Sequence, residues 1–99
     1  MLARAGLPVF IPDYGLEDEH GIAQLWVDLG CPAFKVCAEY EGSHHLTPAK
    51  QAEDKTRDRL TADLGWRQVK IYAADMRFGD AWVVQQFIQA LRAHGWTGR

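Results

Sequence analysis

Three acidic residues, Asp28, Glu39 and Glu41, lie on two consecutive strand-like segments, an arrangement that can bind a cation. A short Gly/Pro turn joins the segments, so a hairpin can bring the three side chains to one face of a sheet. Two carboxylates and a backbone carbonyl form a hard oxygen site, which suits Mg²⁺ or Mn²⁺. The simpler interpretation is that these acids are solvated charges on an uncovered sheet face.

The register of the hairpin decides whether Asp28 and Glu39 can share an ion. If residues 31–34 form a four-residue loop, Glu39 is the diagonal neighbour of Asp28 on the adjacent strand, and the backbones of the two residues are about 7 Å apart. A tighter turn shifts the pairing by two residues and separates them. An ion held there would activate a bound water and stabilise charge on a phosphate under attack. His45, just past the second strand, could hydrogen-bond that water or phosphate, and Lys70 could bring positive charge to the same edge.

The rest of the chain predicts the elements that position these groups. In chain order they are strands over 22–29 and 34–41, a helix over 48–64, a strand over 66–72 and a helix over 80–94. Thr47 and Pro48 are the N-cap and first residue of the first helix. Two strands joined by a long helix predict a right-handed parallel crossover. The sequence therefore predicts an α/β fold: a small mixed sheet, made of a hairpin and a parallel β-α-β crossover, flanked by helices.

The first 21 residues carry weaker signals. Residues 1–6 predict the last turn of a helix that ends at Gly6. A domain that begins at the end of a helix suggests that an upstream segment is missing. Residues 1–99 are therefore expected to form one N-terminally truncated domain. Residues 9–11 predict at best an edge strand, because prolines flank them. Residues 13–21 are polar and acidic and predict a loop or hairpin connection.

Two side-chain stripes run along the predicted crossover helix. The stripe expected to face the core comprises Ala49, Ala52, Thr56, Leu60 and Leu64. A polar stripe beside it comprises Lys50, Asp54, Arg57 and Thr61. Asp54 and Arg57 either form an exposed pair worth about 0.3 kcal/mol or act close to the acidic site.

Composition limits the classes of function. The 99 residues are 47% hydrophobic and support one small core, and the net charge of −2 gives no global attraction to nucleic acid. DNA binding would need a local basic patch, and Lys50, Arg57, Arg67 and Lys70 are the candidates. The ordinary alternative is a solvated helix face with interspersed acids.

The cysteines and the absence of a membrane segment in the sequence point to a cytoplasmic protein. Cys31 is interpreted as a turn residue and Cys37 as a small residue on the sheet face. Their spacing to His44 and His45 does not match a structural zinc site. No apolar run approaches the roughly 18 residues that a membrane span requires, and no secretory signal is evident.

The ordered motifs resemble one protein family. They are VDLGCPAFKVCAEYEGSHH over 27–45, then Asp54-x-x-Arg57, Gly65-Trp66 and the strand Val69-Lys70-Ile71. This combination is similar to an uncharacterised bacterial domain family related to very-short-patch-repair (Vsr-like) endonucleases, in the PD-(D/E)XK nuclease superfamily. The match covers about residues 2–91.

The resemblance implies a restriction-endonuclease-like fold and a set of site residues. Asp28 and Glu39 would be metal ligands together with the Tyr40 carbonyl, and His45 would match the family histidine. Glu41 stands where the family usually has aspartate. Asp54 and Arg57 would support the site from the helix.

Two departures from the pattern bear on activity. Glu41 replaces the superfamily lysine two residues after the second acid, as in this branch generally, so another group must serve in catalysis. The first helix of the family, which carries an acidic residue, is absent or reduced to residues 1–6.

These features lead to three hypotheses. The first is a divalent-metal-dependent endonuclease-like domain that hydrolyses DNA phosphodiesters, with Asp28, Glu39, Glu41, His45 and Lys70 as catalytic candidates. The second is a catalytically silent nucleic-acid-binding or regulatory module of the same fold. The third is a protein-interaction or self-associating domain of a larger regulator, binding through Trp82 and the sheet edge left by the missing helix.

Overall fold

A computed structural model describes residues 5–41 and 47–98 of the chain. The elements are β1 (Ile11–Glu17), β2 (Ala23–Cys31), β3 (Val36–Glu41), α1 (Pro48–Asp63), β4 (Arg67–Tyr72), a 3₁₀ helix (Ala73–Phe78) and α2 (Asp80–Ala93). The sheet order is β1-β2-β3-β4, with antiparallel pairing up to β3 and parallel pairing between β3 and β4. The predicted small mixed α/β sheet with its hairpin and parallel crossover is confirmed.

Residues 13–21 were predicted to form a loop or hairpin connection; residues 13–17 instead belong to β1, whereas residues 18–22 do form the hairpin connection to β2. This strand pairs with β2 along the edge of the sheet. An edge strand accepts polar residues and Pro12 because one of its sides is not hydrogen-bonded to the sheet. The turn after β1 is stabilised by the Asp18 carboxylate, which accepts hydrogen bonds from the backbone N–H groups of His20 and Ile22.

The hairpin between β2 and β3 also differs from the prediction. Its loop comprises residues 32–35, and Lys35 adopts a positive φ of 53°. Gly30 therefore pairs with Cys37 rather than with Lys35, and the ladder ends at Leu29 and Ala38. Among the described residues, Asp28 has a ladder partner on neither neighbouring strand.

The regular alternation of side chains between the two faces of the sheet is interrupted at Asp28 of β2 and at Asp13 of β1. Val27 packs into a cluster on the α1 side of the sheet, whereas Leu29, only two residues later, packs against the α2 side. Strict alternation would place both on one face. Asp13 has a positive φ of 50°, and the ladder passes from Pro12–Leu29 to Tyr14–Val27 without it. This irregularity removes Asp28 from the ladder, and its carboxylate instead accepts a hydrogen bond from the Tyr40 N–H.

The two hydrophobic clusters lie on opposite faces. The α2 side holds the larger one, and the predicted buried face of α2 is confirmed: Val83, Val84, Phe87, Ile88 and Leu91 are all buried. Trp82, predicted to be a contact surface, is partly buried and packs beside Phe78. Within residues 5–41 and 47–98, neither helix reaches the length and apolarity that a bilayer crossing requires.

Helix α1 begins as predicted but turns a different stripe to the sheet. The Thr47 hydroxyl accepts a hydrogen bond from the Lys50 N–H and caps the helix. Of the predicted core stripe, only the two leucines pack against the cluster, while Ala49, Ala52 and Thr56 are exposed. Thr61, from the polar stripe, is fully buried. The expectation failed because the interface under α1 contains charged groups as well as apolar ones.

Gly30 is required by close packing, which gives a first testable prediction. A Cβ at this position would lie 2.6 Å from two ring atoms of Tyr14, whose ring packs at a tilt against that of Trp66. We expect Gly30→Ala to lower the free energy of unfolding by about 1–3 kcal/mol, measured by urea denaturation.

Gly15→Ala is the matched control for Gly30→Ala. Its Cβ would approach the outer ring atoms of Trp26, a side chain that is 64% exposed, at 3.0 Å, and the Ala23 Cβ at 3.1 Å. We expect a smaller effect there, since these approaches are longer than the 2.6 Å at Gly30 and one of them involves the end of an exposed side chain. Equal destabilisation by both variants would contradict the packing argument.

Candidate functional site

The candidate site lies between α1 and the ends of β3 and β4. In the parallel register Glu39 is adjacent to Lys70, and Cys37 is adjacent to Gln68. All four are on the sheet face opposite the α2 cluster, because the alternate positions Ala38 and Val69 pack against α2. Helix α1 covers this face with its polar stripe.

Glu39 is a nearly buried carboxylate with two side-chain partners. Its Oε1 accepts a hydrogen bond from Arg57 Nη2 within an ion pair, and its Oε2 accepts one from Gln68 Nε2 at 3.1 Å. The Glu39 side chain is 14% exposed and that of Arg57 is 40% exposed. A charge removed from water to this extent needs a partner, and Arg57 supplies it.

Arg57 also connects α1 to β2. Its guanidinium donates a hydrogen bond to the Trp26 carbonyl at 3.0 Å. That carbonyl lies beyond the point where the β2–β3 ladder ends at Leu29 and Ala38. One cation therefore bridges a carboxylate on β3 and a carbonyl on β2.

Asp28 of β2 also contacts β3 beyond the end of the β2–β3 ladder. Its Oδ2 accepts a hydrogen bond from the Tyr40 N–H at 2.7 Å, in place of a strand carbonyl. Asp28 is exposed, and its partner amide belongs to the residue directly after Glu39. The two acids predicted as metal ligands thus reach adjacent positions of β3.

Lys70 forms a second ion pair, with Asp58 of α1 at 2.9 Å. Burial by itself lowers the pKa of Lys70, but the hydrogen bond and charge of Asp58 outweigh it and raise the pKa above its usual value. The charges of Tyr72 and Glu41 act in the same direction. Lys70 is therefore a fixed cation near neutral pH and not a proton acceptor.

A cleft of about 200 Å³ opens beside this ion pair. Its lining residues are Glu41, Gln51, Asp54, Lys55, Asp58, Lys70 and Tyr72. It lies where β3 and β4 end, and in α/β proteins ligands commonly bind at the carboxyl ends of parallel strands. Of the predicted site residues, it collects Glu41, Asp54 and Lys70.

The remaining predicted residues are distributed over the molecule. Among the described residues Arg57 pairs with Glu39 and not with Asp54. Arg67 pairs in register with Val36 of the α2 cluster, so it leaves the sheet on the face opposite to Lys70. Lys50 is exposed in the first turn of α1. His45 lies outside the described residues.

Two residues with direct roles in the site were not predicted. They are Gln68, which holds Glu39, and Asp58, which holds Lys70. Gln68 could have been found from strand parity, because it lies two residues before Lys70 in one strand. Asp58 had no comparable signal, since its partner depends on how α1 packs on the sheet.

The donor atoms fit a hard cation in type, but they already have partners. Carboxylates of Asp28 and Glu39 and the Tyr40 carbonyl are oxygen donors of the kind that Mg²⁺ prefers. Glu39 is hydrogen-bonded to Arg57 and Gln68, and Asp28 to the Tyr40 amide. In the part of the chain that the structure describes, no three His, Cys, Asp or Glu residues are grouped to hold a metal. A cation could use Glu39 fully only after Arg57 moves.

Both cysteines are free thiols buried on opposite faces of the hairpin. Cys31 ends β2 inside the α2 cluster and is not a turn residue, because the loop begins one residue later. Cys37 is the small sheet-face residue that was predicted. The pKa of Cys37 is raised to about 12, mainly by burial and to a smaller extent by the Glu39 charge, while the Arg57 charge acts in the opposite direction.

Slow thiol chemistry is the second testable prediction. Since neither side chain is accessible and the Cys37 thiol stays protonated, we expect negligible reaction with an aromatic disulfide reagent at pH 8. In urea both thiols should react at the rate of an unstructured cysteine. A thiol that reacts equally fast in the folded protein would contradict this burial.

Comparisons with family models, with curated proteins and with solved structures give no match for this chain. The resemblance to a nuclease family therefore depends on the sequence motifs alone.

Proposed function

We propose that this protein is a restriction-endonuclease-like domain of the PD-(D/E)XK type that hydrolyses DNA phosphodiesters with Mg²⁺ or Mn²⁺. One observation carries the proposal: the Asp28 carboxylate is hydrogen-bonded to the amide next to Glu39. Two acids from neighbouring strands thereby converge on one short segment of backbone. The ordered motifs over residues 27–71 support the same assignment.

The residues have distinct roles in this proposal. Asp28, Glu39 and the Tyr40 carbonyl would hold the ion, which supplies an activated water and charge stabilisation at the phosphate. Lys70, kept protonated by Asp58, stabilises negative charge on the phosphate and replaces the missing superfamily lysine. Glu41 and His45 are the candidates for accepting the proton of the attacking water.

Conservative variants of the two acids test the proposal. Asp28→Asn keeps an oxygen that can accept the Tyr40 N–H bond, and Glu39→Gln keeps the side-chain shape, but both remove a charged ligand. We expect each to reduce Mg²⁺-dependent cleavage of duplex or single-stranded DNA by about 100-fold or more.

Glu53→Gln provides the matched control for these variants. It makes the same charge change at an exposed position of α1 and should leave cleavage unchanged. Retained cleavage after Asp28→Asn and Glu39→Gln would refute the assignment. Circular dichroism of each variant separates loss of chemistry from loss of fold.

A second candidate function is a catalytically silent module that binds nucleic acid. The ion pair between Arg57 and Glu39 favours it, because that carboxylate is already neutralised, as does the glutamate at position 41. Such a module binds DNA in a salt-dependent manner and does not cleave it.

The binding surface of the silent module can be located by its salt dependence. If DNA lies across α1, Lys50→Gln should lower the slope of log affinity against log salt by about 0.9, the value for one lost phosphate contact. Arg67→Gln, on the opposite sheet face, should leave the slope unchanged. The reverse result would place DNA on the α2 side.

A further inference from the structure

We infer that Arg57 is an internal competitor for the metal site: it neutralises Glu39 in this structure and must leave that carboxylate when a divalent ion binds. This inference rests on the proposed function and adds a control on metal affinity to it. It starts from the two contacts of one guanidinium, to the Glu39 carboxylate and the Trp26 carbonyl.

The two oxygens contacted by Arg57 have the chemistry of a cation site. One is an anionic carboxylate oxygen on β3 and the other is a neutral carbonyl oxygen on β2. A hard divalent ion binds the same two kinds of oxygen. Arg57 thus satisfies, with hydrogen bonds and one positive charge, groups that an ion would satisfy by coordination.

The local structure allows Arg57 to leave while Glu39 stays in place. Glu39 is held on its other oxygen by Gln68, so its orientation does not depend on the arginine alone. Arg57 has a long side chain that is 40% exposed, whereas that of Glu39 is 14% exposed. The more accessible partner is therefore the cation, and the anion is the more enclosed one.

Competition follows from charge balance. Glu39 is too shielded from water to remain unpaired, so either the guanidinium or another cation must accompany it. A metal ion can bind Glu39 only after the contact between Arg57 and Glu39 is broken. The free energy of breaking this contact lowers the apparent affinity of the protein for the metal. Replacing Arg57 by a neutral residue removes that penalty.

The test measures Mn²⁺ affinity by calorimetry on the full chain. Arg57→Met keeps the aliphatic stem and should bind Mn²⁺ about tenfold more tightly than the unaltered protein, an effect between those of exposed and buried ion pairs. Arg57→Lys retains a competing charge and should stay close to the unaltered affinity. Arg59→Met removes the same charge from an exposed site on the same helix and controls for general electrostatics.

A measurement on the unaltered protein makes the test independent of variant stability. The side-chain Nε–H resonance of Arg57 in a nitrogen-15 spectrum should shift during a Mg²⁺ titration, in step with metal binding. A shift with the same midpoint as the calorimetric binding supports displacement. A resonance that stays fixed while Mg²⁺ binds overturns it.

The outcomes separate the inference from the proposed function. Metal binding that is unchanged by Arg57→Met would overturn the competition and leave the nuclease assignment standing. Binding by Arg57→Met alone would support the competition and identify the natural protein as a silent module. Absence of Mn²⁺ binding in every variant would refute the metal site and, with it, the inference.

Discussion

A carboxylate enclosed between a helix and a sheet must be balanced by positive charge, and Glu39 is that carboxylate in this domain. Its balance comes from Arg57, which projects from α1 and also contacts β2 through the Trp26 carbonyl. The ion pair gives a reason why α1 turns Arg57 toward the sheet, beside Leu60 and Leu64 of the predicted apolar stripe. Through these two contacts Arg57 joins α1 to both β2 and β3.

The sheet is irregular beside this pair. Where Asp13 takes a positive φ, the strands change faces and Asp28 leaves the ladder. The Asp28 carboxylate then replaces a backbone acceptor for the Tyr40 amide, and the Trp26 carbonyl is left for Arg57. A sheet with unbroken pairing would use these groups in its own hydrogen bonds. The break in the ladder therefore leaves the Tyr40 amide and the Trp26 carbonyl to side-chain partners.

The charges of the site are arranged in pairs with different consequences. Lys70 and Asp58 form a pair that fixes a protonated lysine at the edge of the cleft. Arg57 and Glu39 form a pair that, in the proposed metal site, would oppose metal binding, because it already balances the charge of the carboxylate. A nuclease would need the first pair intact and the second one opened, whereas a silent binding module would keep both closed. The two candidate functions thus differ in the fate of one hydrogen-bonded contact.

The sequence by itself determined what depends on neighbours along the chain. Thr47 and Pro48 set the start of α1, and the apolar period of α2 identified its buried face, because capping and helical periodicity are local. Tertiary structure alone decided the hairpin register, the face change at Asp28 and the choice of Glu39 as the partner of Arg57. Those features depend on contacts between residues distant in sequence, whose free energies are decided by the packing of α1 on the sheet and not by spacing.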